Sequence, residues 1–137
     1  MALKIYEKFK PKPHGRVSEF RLCSVNKKWS YLSFNVCAVR ELGMKKGMKI
    51  MFAQDTDTKD WFFAFGDAIN MESGSLLHLW LYNGKVVAMR VKNKGVIEKL
   101  CEAAESDTAT FNISMHPKRE DGREWYRIIT TTPYRIV

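Results

Sequence analysis

The sequence predicts an α+β protein in which antiparallel sheet combines with two helices as a tandem β-β-α-β-β repeat. Three observations carry this expectation. Asn35 opens the run VCAVREL, which ends on Leu42, and Asn93 opens KGVIEKL, which reaches Leu100 at the same seven-residue distance. Each run follows a hairpin-like stretch, VNKKWSYLSF in the first half and LYNGKVVAMRV in the second. Each then leads to a strand, a polar turn and an acid-Trp-aromatic strand start, Asp60-Trp61-Phe62 and Glu124-Trp125-Tyr126.

Taken in order, residues 1–16 read as a basic N-terminal arm, because Lys4, Lys8, Lys10, Lys12 and Arg16 are interspersed with Pro11 and Pro13, which bar a central strand or a helix interior. Residues 17–65 form the first unit. Residues 17–25 and 29–34 are its opening strands, joined by the turn Asn26-Lys27-Lys28, with Leu32 and Phe34 on one face and Trp29 and Tyr31 on the other. Asn35 suits an N-cap, Val36, Val39 and Leu42 recur at helical spacing, and Gly43 stops the helix. Strands over 48–54 and 61–65 flank the polar loop DTDTKD.

Residues 66–75 are a connector, and residues 76–137 are the second unit of the same compact domain. Leu77, Leu79 and Leu81 alternate with His78, Trp80 and Tyr82, which marks a half-buried strand. Asn83-Gly84 is a type I′ hairpin signal, and Val87, Met89 and Val91 share a face of the returning strand. A helix over 94–105 would bury Val96, Ile97, Leu100, Cys101 and Ala104. The next strand, 108–115, alternates through Phe111, Ile113 and Met115, KREDGRE reads as a loop, and 124–132 is the last long strand. When the helices are aligned without gaps, Tyr31 and Ser33 fall opposite Met89 and Val91, so the strand faces disagree by one residue. A bulge before one helix would restore the match.

The chain has 137 residues, 45% of them hydrophobic, enough for one buried core. No apolar run approaches the ~20 residues a membrane helix needs, and the first residues lack the apolar stretch of a secretory signal. Cys23, Cys37 and Cys101 are odd in number and widely spaced, which favours reduced thiols in a cytoplasmic protein. Charge is uneven. Residues 1–50 hold twelve Lys or Arg against three acids, a net +9, whereas residues 51–137 sum to −1. Such a basic region favours a polyanionic partner.

No catalytic constellation stands out, so the expectation is a non-enzyme without cofactor or metal. His14, His78 and His116 share no metal-ligand spacing, and the acids of DTDTKD lack the Gly and bidentate Glu of a calcium loop. What recurs is basic and aromatic residues side by side on predicted hairpins. Arg21, Lys27 and Lys28 flank Trp29 and Tyr31, while Lys85, Arg90 and Lys92 flank Trp80 and Tyr82. Rings for base stacking and cations for phosphates are what a single-strand-binding surface requires. The other reading of these rings is packing beneath a helix or against a second subunit.

The repeated order strand, strand, helix, strand, strand over residues 17–132 resembles the Whirly and positive-cofactor-four class of single-stranded-DNA-binding proteins. That resemblance is to element order, and no family residue is carried over. The chain also resembles small proteins of Bacteroidetes and their phages. LSFNVCAVRELGMKKGMKIMF (32–52) is similar to the swapped-hairpin fold of transition-state regulators, which bind duplex DNA as dimers. The expected partner is therefore nucleic acid, single-stranded before duplex, bound through Arg21, Lys27, Lys28, Trp29, Tyr31, Trp80, Lys85, Arg90 and Lys92. The alternatives are a homo-oligomeric assembly protein and a duplex-binding regulator.

Overall fold

A seven-residue distance from cap to leucine becomes, in three dimensions, two helices embedded in a sheet that curls round on itself. The structure is a computed structural model, and it describes residues 20–72, 74–131 and 135–136. The expected arm and the start of the strand placed at 17–25 lie outside these residues.

Alternation of apolar and polar side chains sets β1 (Leu22–Asn26) and β2 (Tyr31–Asn35), with Cys23, Val25, Leu32 and Phe34 turned inward and fully covered. Strand β2 runs straight into α1 (Val36–Leu42). Asn35 makes that junction. Its Oδ1 accepts from the Ala38 N–H at 3.0 Å and the Leu22 N–H at 3.1 Å, and its Nδ2 donates to the Phe20 carbonyl at 2.8 Å. One side chain thus caps the helix and ties it to the entry of β1. Gly43 ends α1 at φ 74°, in the left-handed region that costs a residue with a Cβ.

Strands β3 (Lys49–Gln54) and β4 (Trp61–Gly66) follow as a hairpin. The Asp55 carboxylate closes its loop by accepting from the N–H groups of Asp57 and Thr58 at 2.8 and 3.1 Å. Next come β5 (Ser75–Leu76), β6 (His78–Tyr82) and β7 (Lys85–Val91), with Asn83 and Gly84 at φ 51° and 74° as a type I′ turn requires. Helix α2 (Lys94–Ala104) is capped by Asn93, whose Oδ1 accepts from the Val96 N–H at 3.2 Å. The chain finishes through β8 (Thr108–Ile113), β9 (Lys118–Glu120), β10 (Arg123–Ile129) and β11 (Arg135–Ile136).

Several details of the strands depart from the sequence expectation. The segment read as a loop contains β9, which pairs with β10 around Asp121 and Gly122 at φ 53° and 74°, a second turn of the type I′ kind. Strand β8 stops at Ile113, leaving Met115 61% exposed. A register shift between Trp80 and Leu81 turns Leu81 out of the alternation, so it is 51% exposed and does not join Leu77 in the core. The mismatch between the halves has a simple source. Asn35 is both the last residue of β2 and the cap of α1, whereas Lys92 intervenes between β7 and the Asn93 cap. The extra residue lets Leu32 and Phe34 face inward beside their cross-strand partners Val91 and Met89.

All strand pairings are antiparallel, in the order β5-β3-β4-β10-β8-β1-β2-β7-β6, with β11 also on β8 and β9 on β10. Strands β5 and β6 stand at opposite ends of that order, yet only Leu77 separates them in the chain. One stretch of backbone therefore pairs first with β3 and then with β7, and the sheet becomes nearly barrel-shaped. Leu77 is buried at this crossing, and its N–H donates to the Met48 carbonyl at 2.9 Å.

Inside, Phe34 of β2 meets Phe63 of β4 across the core with ring centroids 4.9 Å apart, and Phe63 stacks on Tyr126 of β10 at 5.6 Å. Ala38 and Val39 of α1 and Ile97, Leu100 and Cys101 of α2 belong to the same apolar cluster. Cys23, Cys37 and Cys101 are all buried. No helix among the described residues is long and apolar enough to cross a membrane.

The unequal work of the two caps is testable. Asn93→Ala should cost about 1 kcal/mol, the usual loss for a helix cap. Asn35→Ala should cost about 2 kcal/mol or more, because it also strands the Leu22 N–H. Urea unfolding of both variants, compared at constant slope, measures the difference.

Candidate nucleic-acid interface

The pleat that sends Leu32, Met89 and Val91 inward sends their neighbours outward. On the outer face the antiparallel registers place Thr110, Ser24, Ser33, Arg90 and His78 in one row across β8, β1, β2, β7 and β6. The Ser24 and Thr110 hydroxyls are hydrogen-bonded at 2.9 Å. Towards His78 the row changes character. The Arg90 guanidinium carbon lies 3.3 Å from the centroid of the Trp80 ring and 4.1 Å from that of Tyr31. The cation is thus held by two aromatic rings from strands on either side of its own, an attraction of about 0.5–2 kcal/mol per ring depending on desolvation. Arg90 Nε is shielded from solvent and has no hydrogen-bond partner among the described residues.

Beside this stack the β1–β2 turn carries Lys27, Lys28 and Trp29. The turn is fixed locally by the Trp29 N–H donating to Asn26 Oδ1 at 3.0 Å, and at a distance by the Lys27 N–H donating to the Asp107 carbonyl at 2.8 Å. Ser30 completes it at φ 51°. Trp29 is consequently in the turn, not in a strand as expected, and it is 67% exposed with Lys28 Nζ 5.4 Å from its ring centroid. An open depression of about 500 Å³ lies between Trp29, Tyr31, His78, Arg90 and Lys92. It offers one exposed indole, ring edges, and the nitrogen-bearing side chains of His78, Arg90 and Lys92.

Of the residues singled out in the sequence, Lys28, Trp29, Tyr31, Trp80, Arg90 and Lys92 therefore come together on this face, from both halves of the chain, while Lys27 is tied to Asp107 and lies near Cys101 of α2. Arg21 and Lys85 do not. Arg21 sits beyond the other end of β1, where its Nε donates to Glu41 Oε1 at 3.0 Å. Lys85 belongs to a separate depression beside α1. Among the described residues of the first third, the other basic side chains are dispersed as well. Arg40 and Lys45 lie by α1, and Lys49 Nζ donates to the Asp67 carbonyl at 3.1 Å. His78 is the member the sequence reading passed over. Its place opposite Arg90 comes from the β6–β7 register, although its alternation with Leu77 and Leu79 already put it on Trp80's face.

Nothing matches this chain among protein-family models, curated proteins or solved structures.

The Arg21 cluster is a structural ion pair with an acid-sensitive signature. Glu41 accepts from the Cys37 thiol at 2.7 Å as well as from Arg21, and these two bonds hold its carboxyl below the ordinary value of 4.5. Burial, with the bond to Glu41, pushes the Cys37 thiol up to about 11. A lowered carboxyl pKa means the folded state binds fewer protons there than the unfolded state. Its contribution is present above pH 4.5 and is lost as pH falls through the lowered value. Glu41→Gln should therefore flatten the fall in stability below pH 4.5, read from urea midpoints on an acid series.

Proposed function

We propose that this protein is a non-enzymatic binder of single-stranded nucleic acid, using the outer face of β2, β7 and β6 with the β1–β2 turn. The observation that carries the reading is the Tyr31–Arg90–Trp80 stack beside a two-thirds exposed Trp29. Stacking rings held on a sheet give sequence-tolerant contact with bases, and Lys28, Arg90 and Lys92 supply cations beside them for a passing backbone. Each ring that meets Arg90 has one face engaged, so bases would stack on Trp29 and on the outward faces of Tyr31 and Trp80. The hydroxyl row through Ser33 and Ser24 extends the surface with neutral donors and acceptors.

The pattern of pairing supports descent of both halves from one β-β-α-β-β unit. The second strands of the halves pair together (β2 with β7), as do their closing strands (β4 with β10). Each half's first strand pairs with the other's third: β1 with β8, and the β5–β6 strand with β3. Exchanging the halves leaves this pattern unchanged, which fits a duplicated unit whose working surface has come to draw on both copies.

A second reading, duplex DNA bound in the manner of swapped-hairpin regulators, is favoured by the order of hairpins around the sheet. Hairpins from the two halves alternate there: β3–β4, β10–β8, β1–β2, then β7–β6. Competition between a labelled single strand and the duplex of the same sequence separates the readings.

Oligothymidine binding, followed by Trp fluorescence and anisotropy, should weaken steeply with salt. Trp29→Ala should lower affinity by about 5–150-fold, the ~1–3 kcal/mol of one stacked base. Lys92→Ala should reduce the salt slope by about one contact. Arg21→Ala should leave both unchanged. Absence of salt-sensitive binding at low ionic strength would refute the proposal.

A further inference from the structure

A second surface lies away from the stack, between α1 and the β6–β7 hairpin. Here a cleft of about 560 Å³ has an aliphatic lining, with Val39 and Met44 at its buried floor and Val36, Leu79 and Val86 on its walls. Its rim is cationic, formed by Arg40, Lys45 and Lys85. None of these three has an ion pair among the described residues. Across the strand pair from Val86 stands Leu81, outside the cleft's lining; the two are 37% and 51% exposed. The core does not use this apolar pair.

We propose that this cleft docks an acidic peptide segment of a partner protein, one that alternates carboxylates with large apolar side chains. Charge complementarity selects the occupant: an apolar anchor would enter between Val36 and Val86 while flanking carboxylates meet Arg40, Lys45 and Lys85. Nucleic acid fits poorly, because no aromatic ring lines the cleft and an aliphatic floor gives bases nothing to stack on. A lipid surface would meet Leu81 and Val86 but leave the floor unfilled, since Val39 and Met44 are recessed at 8% and 5% exposure. The cleft and the stack share no lining residue, so the two surfaces can be occupied independently.

The test uses the full chain and a short fluorescein-labelled peptide repeating Asp, Leu, Glu and Phe. Two control peptides replace its acids by Lys or its Leu and Phe by Ala. Anisotropy should show binding of the first peptide, in the micromolar range or about tenfold either side, and much weaker binding of both controls. Val86→Glu and Lys85→Glu should each weaken the first peptide by about tenfold or more, with oligothymidine affinity unchanged. Both positions are exposed hairpin sites, and unaltered Trp emission with an unaltered urea midpoint verifies that each variant is folded. Equal binding of all three peptides, or of none, overturns the proposal. So does a loss of oligothymidine binding in the two variants, which would make the cleft part of the nucleic-acid surface. A self-association seen by light scattering and abolished by Val86→Glu would assign the cleft to a second copy, and sedimentation with phosphatidylserine vesicles lost in the same variant would assign it to lipid. Either result overturns it too. The oligothymidine arm stands apart from the peptide arm, so failure of one reading is distinguishable from failure of the other.

Discussion

The strand that runs from Ser75 through Leu77 to Tyr82 satisfies two sheet edges at once, and the rest of the architecture hangs on it. An antiparallel sheet leaves unpaired N–H and C=O groups at both ends, a standing invitation to association. Here the first two residues pair with β3, Leu77 crosses over while donating to Met48, and the remainder pairs with β7. The sheet curls far enough to face itself, which is what allows Phe34 and Phe63 to touch across the interior although three strands separate theirs in the sheet order. The helices complete the enclosure, with α1 on β7 and β2 and α2 on β1, β2 and β8.

The same crossing makes the aromatic stack. Trp80 reaches Arg90 because β6 is held on β7, and Tyr31 reaches it because β2 is held on the other side. Neither hairpin alone assembles the arrangement: Tyr31 belongs to one half of the chain and the other two residues to the second. A guanidinium between two rings is partly desolvated, and that strengthens its attraction both to them and to an approaching anion. It also stiffens the surface, since two rings and a long side chain restrain one another's rotamers. The bulge that follows Trp80 has the opposite consequence for Leu81, releasing it from the core to an exposed position opposite Val86.

Local chemistry made much of this readable in one dimension. Asn35 and Asn93 announced the helices because a short amide side chain at a strand end has an unpaired helical N–H within reach. Asn83-Gly84 announced its hairpin because few residue pairs accept two positive φ angles, and Asp121-Gly122 carried the same signal inside a run that charge alone made look like a loop. Alternation revealed which side chains of β2, β7 and β8 face the core. It went wrong at Leu81 and Met115, where a bulge and a strand end interrupt the pleat and nothing in the residue types marks the interruption. Arg21 and Lys85 resembled their basic neighbours in every local respect. Arg21 was claimed by Glu41, and Lys85 lies on the far side of a bulge.

Taken by itself, the amino-acid order determined the class of fold, the two caps, the inward faces of most strands, and an outward set of rings and cations. These follow from interactions within a few residues, where periodicity and capping act directly. Only the tertiary structure decided which of those outward residues meet. Cross-strand register between distant segments brought His78 to Arg90 and separated Arg21 and Lys85 from the rest. It also joined rings and cations of both halves along the β2–β7–β6 seam. Register is set by burial across the whole sheet, and a one-residue slip turns every side chain to the other face.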